Sequence, residues 1–251
     1  MVVDLPDLDG AEERAPAARL VVFDDRDAFR GRAAIVVQPS LPTWSGGGEA
    51  GRVLAGFDYV PVAARYRELR AANVRPPRRP AGSPADLLVC FGGSDPELVT
   101  ERLVPALARG RGWRATAVVG ADHAGRAATL PIPVVRDPGD LPERLAACDL
   151  ALIGAGTMKF EVACLGRPAV LLAAADDQLA VGPPYAATGA AIWLGDGRTM
   201  DPAEVRDVLD GLVAEPGRLM AIGARAREIV DGRGAERVAT AILDLARATD
   251  R

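Results

Sequence analysis

Three short stretches of this 251-residue chain place glycine, hydroxyl, amide and carboxylate groups where an anion or a polyol could be held. The first is Gly92-Gly93-Ser94-Asp95-Pro96, directly after the apolar run "LLVCF". Glycines let backbone N–H groups come close to a ligand, and a helix starting behind them favours negative charge. The same residues also fit a tight turn in which Ser94 or Asp95 caps a helix with Pro96 at its first position. The second stretch is Gly154-Ala155-Gly156-Thr157, with Glu161 four residues beyond Thr157 and so on the same helical face. A carboxylate there can accept hydrogen bonds from both vicinal hydroxyls of a ribose, although taken alone it reads better as an ordinary acidic residue near a positive helix start. The third is the polar end of "AVLLAAADDQ", where Asp177 and Gln178 follow another apolar run. The first stretch alone leaves both readings open and the second alone favours the structural one; three of them in one half of a sheet move the balance toward a nucleotide site.

The elements needed to position these groups are legible around them. Apolar runs predict strands over 86–91, 114–119, 132–135, 149–153, 168–173 and 190–194. They alternate with helical stretches over 96–109, 139–147, 157–165, 177–188 and 201–214. Such alternation implies right-handed crossovers, a parallel sheet and helices on both faces, so that ligands meet the loops at the carboxyl ends of the strands. "DPAEVRDVLDGL" carries a helix start, with Asp201 as cap, Pro202 at the first position, Glu204 three residues on, and Val205, Val208, Leu209 and Leu212 on one face. Two more helices follow over 216–230 and 234–248, the second with Val238, Ile242 and Leu245 on one side.

Upstream, "MVVDL", "ARLVVFDD" and "GRAAIVVQPS" read as strands, "PVAARYRELRAA" as a helix, and "PSLPTWSGGGEAGR" as a loop. Prolines, glycine and arginines between Asn73 and Asp86 exclude regular structure and mark a linker. The expected organisation is an amino-terminal domain over 1–78 and a Rossmann-like domain over 79–251 that includes the last helices. The fold class is α/β, with parallel strands.

Composition excludes other classes. A net charge of −4 with 25% charged residues gives no footprint for nucleic acid, and no apolar run of about eighteen residues argues for stable membrane insertion. The amino terminus lacks the layout of a secretory signal, so a cytoplasmic protein is expected. Cys90, Cys148 and Cys164 lie in or beside apolar runs without paired spacing, as buried reduced thiols do. With His123 the single histidine, in "GADHAGRAA", neither a metal nor any other cofactor is expected, and His123 reads as a solvated loop residue. Lys159 is the only lysine; the arginine bias reads as genome composition.

Taken together, "FGGSDP", "GAGTMKFEVACLGRPAVLL", "DDQLAVGPPYAATGAAIWLG" and "DGRGAERVATAI" resemble the carboxy-terminal half of the UDP-sugar hydrolase of pseudaminic acid biosynthesis and the related spore-coat polysaccharide biosynthesis proteins. "VVFDDRDAFRGRAAIVVQPS", with Asp24 and Asp25, resembles the end of that family's amino-terminal domain. The resemblance implies a GT-B-like α/β fold of two Rossmann-like domains with parallel sheets, the amino-terminal one over 1–78 being partial, and a UDP-sugar bound chiefly by the carboxy-terminal nucleotide-sugar-binding domain over 79–251. Gly92, Gly93, Ser94 and Asp95 would border the cleft, and Gly154, Gly156 and Thr157 would meet the diphosphate. Glu161 would hold the ribose, while Asp177 and Gln178 would contact nucleotide or sugar. The implied chemistry is metal-independent attack of water at the anomeric carbon with UDP leaving. Transfer to an acceptor, or a non-catalytic truncated subunit, are the alternatives. The family's amino-terminal Gly-x-Gly-His-x-x-Arg loop has no counterpart here, so no catalytic residue is assigned, and a start codon placed too late is the expected reason. The chain also has Asp4-Leu5-Pro6 where the hydrolases have Asp-His-Tyr, which favours the spore-coat branch. The sequence assigns no oligomeric state.

Overall fold

A computed structural model describes residues 1–4, 16–73, 82–93, 95–125 and 127–249. The chain divides into two compact units, Met1–Ala63 with Val230–Arg251, and Ala64–Ile229. The expected boundary at 78/79, most of the expected linker and Leu5-Pro6 fall outside the described residues. The grouping differs from the expected one in two respects. The helix Ala64–Ala71 clusters with the second unit, and the last helix, Gly234–Thr249, clusters with the first.

The first unit holds a parallel sheet of β1 (Val2–Val3), β2 (Val21–Phe23), β3 (Arg32–Gln38) and β4 (Glu49–Ala55), in that order. Side chains alternate across it, as a strand's period of two requires. Val21, Ile35, Val37 and Leu54 face the last helix through Val238, Ala241, Ile242 and Leu245. Leu20, Val22, Phe29, Ala33 and Val36 form the core on the other face with Trp44 and Ala50. The apolar side expected of the last helix is thus present, and it is spent on the first sheet. β4 corrects the expected 39–52 loop, since its first residues are Glu49 to Arg52. It is an edge strand whose mostly exposed side chains carry no apolar alternation, and Glu49 pairs with Arg32 of β3 at 2.9 Å.

The second unit follows the expected alternation closely. It begins with α1 (Ala64–Ala71), then β5 (Ala85–Cys90), α2 (Val99–Leu107), β6 (Trp113–Val119), β7 (Val134–Arg136), α3 (Leu141–Ala147) and β8 (Leu150–Gly154). It continues with α4 (Met158–Leu165), β9 (Ala169–Ala173), α5 (Asp176–Ala186), β10 (Ile192–Asp196), α6 (Pro202–Val213) and α7 (Pro216–Ile229). The sheet is wholly parallel, ordered β10-β9-β8-β5-β6-β7. β8 and β9 are buried along their whole length, which is why they read as unbroken apolar runs.

Alternate residues Leu87 and Val89, Ala115 and Ala117, Leu150 and Leu152, and Val170 and Leu172 face one layer. It is made of Val99, Leu103, Val104 and Leu107 from α2 and Val205, Leu209 and Leu212 from α6. The start of α6 is as its sequence dictates, with Pro202 in the first turn and Asp201 Oδ1 accepting the Ala203 N–H at 2.8 Å. From β5 the chain steps outward to β6 and β7, then returns to the other side of β5 to lay down β8, β9 and β10. β5 and β8 are therefore neighbours whose following loops leave in opposite directions, and their carboxyl ends mark the switch point of the sheet. No helix among the described residues is long and apolar enough to cross a membrane.

Candidate functional site

The pairing of Cys90 with Ile153 sets the loops after β5 and β8 side by side at that switch point. Phe91 is buried, and Gly92 then turns the chain at φ +100°, a conformation that favours glycine. Ser94 lies outside the described residues. Asp95 is 2% exposed, and its two carboxylate oxygens accept the N–H groups of Val99 (3.0 Å) and Thr100 (2.9 Å). It therefore caps the helix behind the loop, and any part it takes in a cleft is indirect. Because Asp95 and Leu98 adopt positive φ, α2 starts at Val99 and Pro96 sits before the helix, not at its first position.

The structure corrects the expected place of His123, in the segment after β6, which is buried with Nε2 2.7 Å from Glu101 Oε1. Asp95, Glu101 and His123 offer ligand atoms within 4.8 Å of one another, so the lone histidine belongs to a polar cluster beneath the loop after β5. All three cysteines are free and buried, as expected. Burial pushes the Cys90 thiol up to about 11 and Cys148 up to about 12, leaving neither poised as a nucleophile.

The loop after β8 is tighter. Ala155 is buried, with its N–H bonded to Leu172 O of β9 at 3.0 Å, and the chain enters α4 through Gly156 and Thr157. Thr157 is exposed and its hydroxyl makes no capping bond. The Lys159 and Phe160 N–H groups turn back to Gly156 O (3.4 Å) and Thr157 O (3.0 Å), so among the described residues the N–H groups of Gly156, Thr157 and Met158 are the ones left without a backbone acceptor, at the positive end of the helix dipole. Gln178, in the first turn of α5, folds back over this turn. Its Oε1 accepts the Ala174 N–H at 3.0 Å, and its Nε2 lies 3.4 Å from where a Cβ on Gly156 would stand. The Gln178 amide thus lies at van der Waals distance over Gly156. Asp177 is exposed on the same turn.

Glu161 is half-buried one turn into α4, and its Oε2 accepts a hydrogen bond from the Tyr66 hydroxyl of α1 at 3.1 Å. Burial raises the Glu161 carboxyl above its ordinary value, and the Tyr66 bond works against that rise. Burial together with the neighbouring Glu161 charge raises the Tyr66 phenol, so it remains a donor. Among the described residues no donor reaches Glu161 Oε1. At the next strand end Arg198 is held by Asp176 (2.6 Å) and Asp196 (2.8 Å). Its hydrogen bonds to these two carboxylates raise its pKa, which keeps it charged.

The structure brings Gly154, Gly156, Thr157, Glu161 and Gln178 into one group beside Gly92 and Gly93. That group offers unsatisfied N–H donors at a positive helix end, a carboxylate one turn away and an amide across from it. Such a set can hold a diphosphate and a vicinal diol together. Tyr66 and Arg198 were not foreseen. Tyr66 lies 95 residues from its partner, and only the contact between α1 and α4 reveals it.

No protein-family model matches the chain. Its sequence is similar in part to UDP-N-acetylglucosamine–N-acetylmuramyl-(pentapeptide) pyrophosphoryl-undecaprenol N-acetylglucosamine transferases, four among them, and to a spore coat protein. That of Rhodopseudomonas palustris is 36% identical over 113 residues, 43% of this chain and 30% of the relative. That of Methylobacterium nodulans is 32% identical over 221 residues, 74% of this chain and 57% of the relative. The spore coat polysaccharide biosynthesis protein SpsG of Bacillus subtilis is 24% identical over 112 residues, 45% of this chain and 33% of the relative. The chain thus spans between about a third and somewhat over half the length of these relatives.

Among solved structures, Acinetobacter baumannii MurG matches 90% of this chain and 66% of its own, with a TM-score of 0.61 at 22% identity. The spinosyn rhamnosyltransferase SpnG, complexed with thymidine diphosphate, matches 96% and 69% with a TM-score of 0.60 at 17% identity. Anabaena HepE, in complex with UDP-glucose, matches 96% and 74% with a TM-score of 0.56 at 16% identity. The fold is therefore α/β and GT-B-like, and the sequence is MurG-like and SpsG-like. The expected kinship with spore-coat polysaccharide proteins stands; the finer hydrolase and pseudaminic acid assignment receives no support from these relatives.

Proposed function

We propose that the second unit binds a nucleoside-diphosphate sugar, UDP-linked in the first instance, and that the protein serves glycosyl transfer to an acceptor in surface-polysaccharide biosynthesis. The observation that carries the reading is the Gly154–Thr157 turn at the switch point of a parallel sheet, with Glu161 on the same helix face as Thr157. The N–H groups of Gly156 and Thr157 face the diphosphate, and Glu161 Oε1 accepts from the ribose hydroxyls while Tyr66 holds Oε2. Gln178 closes the turn and presents Nε2 beside it. Gly92 and Gly93 border the sugar. Asp95 shapes that border from beneath, and Asp177 stands at its rim.

In transfer, the bond from the anomeric carbon to the diphosphate oxygen breaks, and its electron pair leaves with UDP. An acceptor hydroxyl oxygen forms the new bond, and its proton passes to water. The chain's own part is to stabilise negative charge as it grows on the departing diphosphate, which a fixed helix end does without reorganising. Transfer is preferred to hydrolysis because the similar curated proteins with a named reaction are transferases.

Calorimetric titration with UDP tests the site. Wild-type protein should bind, and Glu161→Ala should lose about tenfold or more in affinity, the worth of a hydrogen bond to a charged group. Binding indifferent to Glu161→Ala would sink the ribose assignment. Release of UDP from a UDP-sugar that needs no acceptor would favour hydrolysis.

A further inference from the structure

We infer that Lys159 is the positioning residue of the Gly154–Thr157 turn, an ammonium set behind the loop to aim its N–H groups at a diphosphate; this rests on the donor-site reading above. Lys159 is the only lysine in the chain and is 2% exposed. Its Nζ donates to Ala155 O at 2.8 Å and to Gly156 O at 3.1 Å. In a trans peptide the C=O and the following N–H point to opposite sides. The Ala155 carbonyl shares its plane with the Gly156 N–H, and the Gly156 carbonyl shares its plane with the Thr157 N–H. An ammonium that draws both carbonyls inward therefore turns both N–H groups outward, toward the side the first turn of α4 leaves open.

The surroundings fit a lysine and not an arginine. Nζ lies 4.2 Å from the centre of the Phe160 ring and 6.0 Å from that of Tyr185, and the two rings meet edge to face at 5.6 Å and 88°. A compact ammonium with three donors can reach two carbonyls on one side while lying against ring faces on the other. A planar guanidinium presents its donors in a rigid fork and needs more room. In a chain that otherwise uses arginine throughout, this position keeps the one cation whose shape the pocket admits. Its charge also lies behind the peptides that would face the anion, and a buried charge is screened far less than a surface one.

Because Lys159 is unique, protein grown with 15N-lysine gives a single side-chain ammonium resonance. That resonance should shift when UDP is added and stay in place with uridine, which carries the ribose but no phosphate. Lys159→Met should weaken UDP binding about tenfold or more while changing uridine binding less than about twofold. Lys159→Arg should not restore UDP affinity. Wild-type protein that binds no UDP would refute the site itself. Wild-type protein that binds UDP with the ammonium resonance unmoved, or a Lys159→Met variant that loses UDP and uridine equally or neither, would refute the role of Lys159 alone. The resonance experiment needs no variant, so the inference remains testable if Lys159→Met does not fold.

Discussion

Replacing Tyr66 with phenylalanine removes a single oxygen from the second unit, and its consequences depend on pH. The lost hydroxyl is the donor to Glu161 Oε2 at 3.1 Å, from a tyrosine only 4% exposed. A hydrogen bond to a charged group is worth about 1.5–3 kcal/mol, and water reaching the half-buried carboxylate reduces this to about 1 kcal/mol. For a protein of this size that is a fall of about 2–4 °C in Tm at neutral pH.

The direction with pH follows from the raised Glu161 carboxyl. A carboxyl whose folded pKa lies above its unfolded value favours the folded state at acid pH, and that contribution is lost as pH rises through the folded pKa. Tyr66 limits the loss, because its bond pulls the carboxyl back down. Tyr66→Phe lets the pKa rise further, so the variant should fall behind wild type increasingly between pH 4.5 and pH 7. UDP affinity, which needs the charged carboxylate, should fail on acidification at a higher pH in the variant than in wild type. Thermal denaturation at the two pH values and titrations across them are the assays. A Tm difference that is the same at pH 4.5 and pH 7, with the acid limb of UDP binding unmoved, would refute the coupling of Tyr66 to Glu161.

Leu209→Ala empties a fully buried position between α2 and α6 and should cost about 2–5 kcal/mol, read as a lower urea midpoint. Asp95→Ala removes the acceptor of two backbone N–H groups at the start of α2 and should cost about 1–2 kcal/mol. Asp177→Ala, at an exposed position two strands away, should leave stability within about 0.5 kcal/mol. Chemical denaturation of the two aspartate variants side by side separates the capping carboxylate from the solvent-facing one.

How much of this could be read from residues alone varied with the physical origin of each feature. The second unit was legible because its central strands β8 and β9 are buried along their whole length and its helices carry start signals, as at Asp201-Pro202. β4 was not, because an edge strand with exposed Glu49 and Arg52 has no apolar period to betray it. The apolar side of the last helix was plain from Val238, Ile242 and Leu245, but amphipathicity does not say which sheet it will cover. Gly154, Gly156, Thr157, Glu161 and Gln178 were found because loops after strands are short and local. Tyr66 required a contact across 95 residues, and Lys159 passed for compositional bias until its carbonyl partners were seen. His123 in a polar loop read as solvated, yet Glu101 from α2 supplies the partner that allows its burial.

The return of the last helix to the first sheet also orders the birth of the molecule. During synthesis every strand and helix of the second unit leaves the ribosome before Gly234–Thr249 is made. Until then the face of the first sheet bearing Val21, Ile35, Val37 and Leu54 lacks the helix that covers it. Domains generally fold as units in the order they emerge, yet here the unit that emerges first is finished last. The nascent chain must therefore carry an uncovered apolar surface through the making of the entire second unit, and the sixteen residues of helix Gly234–Thr249 end that exposure.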